Sequence, residues 1–151
     1  MEQAMKSSGS TKVAARAAQE LRTLLEQISS IKVERIDMDM RAAGGAVDLL
    51  ARVRVLGHPH TLACAVEAGG HPAQIRRTLE AMRFPEVRAA EETVPILIAP
   101  HLTSSMQAVC KERKVGFLDF EGNARLELDE VFIVKHTRPL RPANRRAAMD
   151  A

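Results

Sequence analysis

Tryptophan and tyrosine are absent from this 151-residue chain, and phenylalanine occurs only four times. Without aromatic platforms on which unpaired bases can stack, single-strand nucleic-acid binding is disfavoured. Cysteine is nearly as scarce: Cys64 and Cys110 are too few and too isolated for a disulfide framework or a zinc site, and read as buried, reduced thiols. No apolar run approaches the roughly 20 residues that span a bilayer, and Met1 to Ser10 lacks the apolar centre of a secretory signal. A cytoplasmic location with no membrane partner is the expectation. Repeats and low-complexity segments are also missing.

What remains is ordinary globular composition, 46% hydrophobic and 27% charged, at a length that suits one core. The net charge of +3 resides in the tail. Removing Arg138, Arg141, Arg145 and Arg146 from the 22 basic residues, and Asp150 from the 19 acidic ones, leaves 18 of each. The expected organisation is a flexible N-terminus over 1–10, one domain over 11–137 and a basic tail over 138–151. The four tail arginines are candidate nucleic-acid contacts, although a solvated end has the same composition.

From Thr11, with Ser10 as a cap, Ala14, Ala17, Leu21, Leu24, Leu25 and Ile28 recur on one helical face. Val33 to Met40 alternates like a half-buried strand, and Ala42-Ala43-Gly44-Gly45 turns the chain. Ala46 to Val55 and Thr61 to Glu67 read as a β-hairpin around an exposed Gly57-His58-Pro59-His60 turn. Pro72 opens a second helix with Ile75, Leu79 and Met82 inward, ended by Phe84-Pro85. Val94, Ile96, Leu97 and Ile98 suit a central strand covered on both sides. Thr103 or Ser104 caps a third helix bearing Met106, Val109 and Cys110. A strand over Gly116 to Phe120, a turn at Glu121-Gly122-Asn123, and a closing hairpin of Ala124 to Leu128 and Val131 to His136 complete the order. Together these predict an α/β sandwich with a mixed sheet flanked by helices.

The central hairpin carries an acid on each arm, Asp48 and Glu67. Hydrolysis of a phosphodiester by a divalent metal needs converging carboxylates, because Mg²⁺ prefers oxygen ligands, and a nearby Lys commonly helps activate the attacking water. The helix, three-strand meander, helix, strand order together with Asp48 resembles the restriction-endonuclease-like superfamily with its PD-(D/E)XK signature. That resemblance implies a three-layer sandwich. Within the superfamily, Val94-Pro95-Ile96-Leu97-Ile98-Ala99-Pro100, Cys110-Lys111-Glu112 and Val115-Gly116-Phe117-Leu118-Asp119-Phe120-Glu121-Gly122-Asn123-Ala124-Arg125-Leu126 are similar to the nuclease-like domain of type IV toxin-antitoxin AbiEi-family antitoxins and related transcriptional regulators. The similarity extends over roughly Leu21 to Pro139.

The signature itself is incomplete. Aligning Gly70-His71-Pro72 with the family's turn makes the second-arm motif Ala65-Val66-Glu67, with Ala for the acid and Glu for the Lys. Matching Glu67 to the acid instead puts Gly69 where the Lys belongs. Either way the lysine is gone, and Gln74, Arg76 and Arg77 on the adjoining helix are the available replacements. Arg stays protonated and substitutes poorly for a titrating Lys. The resemblance therefore implies a catalytically degraded domain acting as a regulatory or interaction module in a DNA-linked system: toxin-antitoxin, phage defence or transcriptional regulation. Its partners would be DNA through basic residues, or a protein or second copy of the chain. The alternative is a Mg-dependent endonuclease with Asp48 and Glu67 as metal ligands and a relocated basic group.

In the family resembled, a segment like His136-Thr137-Arg138-Pro139 precedes a winged helix-turn-helix. Here no room remains for one before Ala151, so an isolated or truncated nuclease-like module is expected. Other residues have plainer roles. His58, His60 and His71 cluster near the hairpin but belong on splayed arms, and His101 and His136 follow strands. Asp119 is placed to pair with Arg125 or to pin the turn through Asn123. Arg76, Arg77, Arg83 and Arg88 are candidate phosphate contacts, or simply a solvated helix face.

Overall fold

The computed structural model describes residues 2–38, 48–69, 71–82, 92–128 and 131–136. Helix α1 (Glu2–Glu26) is followed by β1 (Ile31–Met38), β2 (Leu49–Val55) and β3 (His58–Val66). Then come α2 (Pro72–Ala81), β4 (Glu92–Ala99), α3 (Ser104–Glu112), β5 (Gly116–Asp119), β6 (Ala124–Leu128) and β7 (Val131–Lys135). The seven strands form one sheet in strict chain order. Pairing is antiparallel through β1-β2-β3, parallel through β3-β4-β5, and antiparallel again through β5-β6-β7. The expected α/β class and mixed sheet are thus present.

Each face of the sheet has its own core. On one side α1 contributes Ala17, Leu21, Leu24 and Leu25, packed on Leu49, Val53, Leu62, Cys64, Ile96, Ile98 and Leu126. On the other, Ile75 and Leu79 of α2 and Met106 and Cys110 of α3 pack on Ala65, Leu97, Ala99 and Phe117. Alternation along β4 sends Ile96 and Ile98 to the first core and Leu97 and Ala99 to the second, which is why its sequence is a continuous apolar run. Helices on both faces make three layers.

Local chemistry fixes the element ends. Pro72 occupies the first turn of α2, where its missing N–H is no loss. The Thr103 hydroxyl accepts the Met106 N–H at 3.2 Å and caps α3. Gly116 lets β5 close on β6: a Cβ there would meet Leu126 Cδ2 at 2.9 Å and the Arg125 carbonyl at 3.1 Å.

Three expectations are corrected. First, α1 begins at Glu2 rather than after a Ser10 cap. Serines and a glycine each cost a helix no more than about 1 kcal/mol, too little to stop one already supported by tertiary packing. Second, the hairpin turn is Leu56-Gly57, not an exposed Gly57-to-His60 loop. Both residues have positive φ, 52° and 85°, as a two-residue type I′ turn requires. His58 to His60 therefore lie in β3, and His60 is buried. Pro59 sits one residue before β3 gains its second neighbour, an edge position where a strand tolerates proline. Third, strict alternation fails in β1. A bulge between Val33 and Arg35 shifts the register, so that Val33 and Ile36 both reach the α1 core despite their odd spacing.

The turn expected at Ala42 to Gly45, the arginines Arg83, Arg88, Arg138, Arg141, Arg145 and Arg146, and the Asp129-Glu130 turn lie outside the described residues. No described helix is long and apolar enough to cross a membrane.

Candidate functional site

Asp48 immediately precedes β2, and Glu67 immediately follows β3. Their strands are antiparallel neighbours with Leu49 opposite Cys64, so both acids arrive at the same end of the hairpin. Ala65 and Glu67, two residues apart, share the sheet face that α2 covers. With Asp48 they line a groove of about 390 Å³ whose other wall is Gln74, Arg77, Thr78 and Ala81 of α2. Those four residues follow the helical repeat, while Ile75 and Leu79 turn to the core. Arg77 thus reaches the acids' groove; Arg76, exposed on α2, is not among its lining residues.

Each carboxylate has one oxygen engaged. The Val66 N–H donates to Asp48 Oδ2 at 2.8 Å, across the hairpin. The Thr78 hydroxyl donates to Glu67 Oε2, tying the end of β3 to α2. Burial raises the Asp48 carboxyl above its ordinary 3.8, opposed by the Val66 N–H and reinforced by the negative charge of Glu67. Among the described residues no partner engages the second oxygens. Two hard oxygen donors are the chemistry that suits a Mg²⁺ keeping most of its waters, but among the described residues no lysine lines the groove and its one cation is Arg77.

The late segment is a turn clamp. Asp119 is fully buried and accepts from the backbone of Leu102, Glu121 and Asn123 at 3.3, 3.0 and 2.9 Å, and from the Asn123 amide at 2.9 Å. Of the two roles considered for Asp119, pinning the turn is the one observed. Arg125 pairs with Glu127 at 3.3 Å and lies over the Phe132 ring. His101, Asp119 and Glu121 offer ligand atoms within 4.8 Å of one another. The Asp119 oxygens are already committed to four donors, and His101 bonds Glu121 at 2.9 Å, so this group is satisfied internally. His58, His60 and His71 form no comparable group among the described residues. Cys64 and Cys110 are free and buried. Burial pushes the Cys110 thiol up to about 12 and that of Cys64 higher still.

One feature of the surface has no counterpart in the sequence reading. Two adjoining hollows of about 360 and 280 Å³ lie between α3 and the β6-β7 hairpin. Both are lined by Lys111 and Arg125, and Lys114 and His136 contribute one to each. These residues are scattered over 26 positions of the sequence, so no local motif announces them.

The fold and groove together define a three-layer α/β domain with paired acids at the open end of a hairpin. No family model matches the chain, and no curated protein does. Two solved structures resemble it. EndoMS in its apo form is 16% identical over 69% of this chain and 45% of that one, with a TM-score of 0.38. A repair endonuclease from Pyrococcus abyssi is 17% identical over 68% of this chain and 46% of that one, with a TM-score of 0.37. The chain spans less than half the length of either.

Proposed function

We propose that this chain is a restriction-endonuclease-like domain that has lost its chemistry and serves as a regulatory or interaction module in a DNA-linked system, of the kind found in AbiEi-type toxin-antitoxin, phage-defence and transcriptional-regulator proteins. The observation that carries the reading is the composition of the groove: Asp48 and Glu67 line it together with Ala65, and among the described residues its one cation is Arg77. A guanidinium holds charge at every accessible pH and cannot take a proton from water. Glu67 is bound by Thr78, as suits a residue that fastens α2 to the sheet.

The test is turnover of supercoiled plasmid and of single-stranded DNA with Mg²⁺ or Mn²⁺. The expected result is none, in the wild type and in Asp48→Ala alike. Cleavage that Asp48→Ala abolishes would overturn the reading.

That outcome would favour a second one, a metal-dependent endonuclease with a relocated basic group. Its support is that Arg77 shares the groove with both acids. Asp48 and Glu67 would hold the ion, which supplies an activated water and charge neutralisation. Arg77 would orient the phosphate. Calorimetry showing no divalent-ion binding at millimolar concentration would exclude it.

A further inference from the structure

The acidic groove flanks α2; the two basic hollows flank α3 at the opposite margin of the same sheet face. We propose that these hollows form a continuous phosphate-ester site, held by Lys111, Lys114 and Arg125, that takes the backbone of nucleic acid.

Three cations from two elements converge there. Lys111 is in the last turn of α3 and Lys114 follows it, while Arg125 comes from β6. Among the described residues the lining acid is Glu127, against three cations. Lys111 and Lys114 are exposed and form no ion pair among the described residues. The dipole of α3 favours cations at that end, which accounts for two lysines there. It does not account for Arg125, whose guanidinium is held at the groove by the Phe132 ring 4.7 Å away and by Glu127. Arg125 also lines both hollows beside Lys111, and its planar guanidinium is the donor geometry that phosphate oxygens match. Ser104, Gln107 and His136 add further hydrogen-bonding groups along the second hollow. The two hollows share Lys111 and Arg125 and so lie side by side, an extended row of donors that suits a polymer backbone better than a compact ligand.

The proposal deepens the DNA-linked reading by placing the contact surface, and its failure leaves the turnover test of the acidic groove untouched. The probe is a short labelled duplex, its binding to the full chain followed by anisotropy across salt. Lys111→Glu/Lys114→Glu is expected to weaken binding at least about tenfold at low salt and to reduce the slope of log K on log salt by about two, close to one unit per phosphate contact. Lys111→Gln/Lys114→Gln should fall between it and the wild type. Lys12→Glu/Arg22→Glu, the same charge change on exposed α1 residues across the sheet, should cost less than about twofold if the groove is the site. Titration of a nucleoside monophosphate separates the sources: its binding, lost in the groove pair while no duplex binds, would assign the same phosphate-ester site to a free nucleotide. Equal weakening by the groove and α1 pairs, or no loss in the groove pair, would overturn the proposal.

Discussion

Asn123 is bonded three times to Asp119: its backbone N–H and side-chain amide donate to the carboxylate, and its carbonyl accepts the Asp119 N–H, all at 2.9 Å. With the Leu102 and Glu121 N–H groups, this makes the buried Asp119 carboxylate the centre on which the β4-α3 and β5-β6 connections meet. Asp119→Ala would leave three backbone donors without that acceptor, and a loss of at least about 3 kcal/mol of stability is expected. Urea denaturation checks it; a loss below about 1 kcal/mol would show that water replaces the carboxylate.

Leu56 holds a left-handed backbone, φ 52°, at the hairpin tip and is half exposed. A branched residue there costs roughly 1–2 kcal/mol that Asn avoids in part, since Asn-Gly is the favoured pair for this turn. Leu56→Asn should raise stability by about 0.5–1 kcal/mol. An unchanged or lower melting temperature would mean that the Leu56 side chain contributes more packing than its exposure suggests.

At Gly116 the close approach of the Arg125 carbonyl leaves no space for a methyl group. Gly116→Ala is expected to cost about 1–3 kcal/mol, with amide exchange fastest in β5 and β6. Uniformly faster exchange across the sheet would place the strain elsewhere.

Asp48 binds its proton more tightly folded than unfolded, because its carboxyl is raised by burial and by Glu67. The contribution to stability is therefore full below pH 3.8 and is lost as pH climbs through the raised value. Asp48→Asn keeps an acceptor for the Val66 N–H and removes the charge. It should be more stable than wild type at neutral pH, with the difference vanishing in acid. A constant difference from acid to neutral pH would remove Asp48 from the account.

The sheet's interior was legible because its signals are local: the unbroken apolar run of β4, Pro72 at a helix start and Thr103 at another each act within a few residues. The placement of Asp48 and Glu67 on adjacent arms is likewise a local signal. The hairpin's turn is less legible, because Pro59 and Gly57 both read as turn formers while the left-handed Leu56 gives no sign of itself. Which of Arg76 and Arg77 lines the groove depends on the phase of α2, which its burial against Ala65 and Leu97 fixes. The basic hollows were invisible, since Lys111 and Arg125 meet only once β5 and β6 have paired beside α3.

The strict β1-to-β7 order of the sheet bears on how the chain is made. Every strand pairs with the one synthesised just before it, and none waits for a later arrival to sit between two earlier neighbours. As the chain leaves the ribosome, α1 and the β1-β2-β3 meander can assemble first, and each later strand then docks on a finished edge. Edges still growing invite pairing with other chains, so the growing edge moves steadily along the sheet and, among the described residues, comes to rest on β7, whose Phe132 and Val134 face solvent.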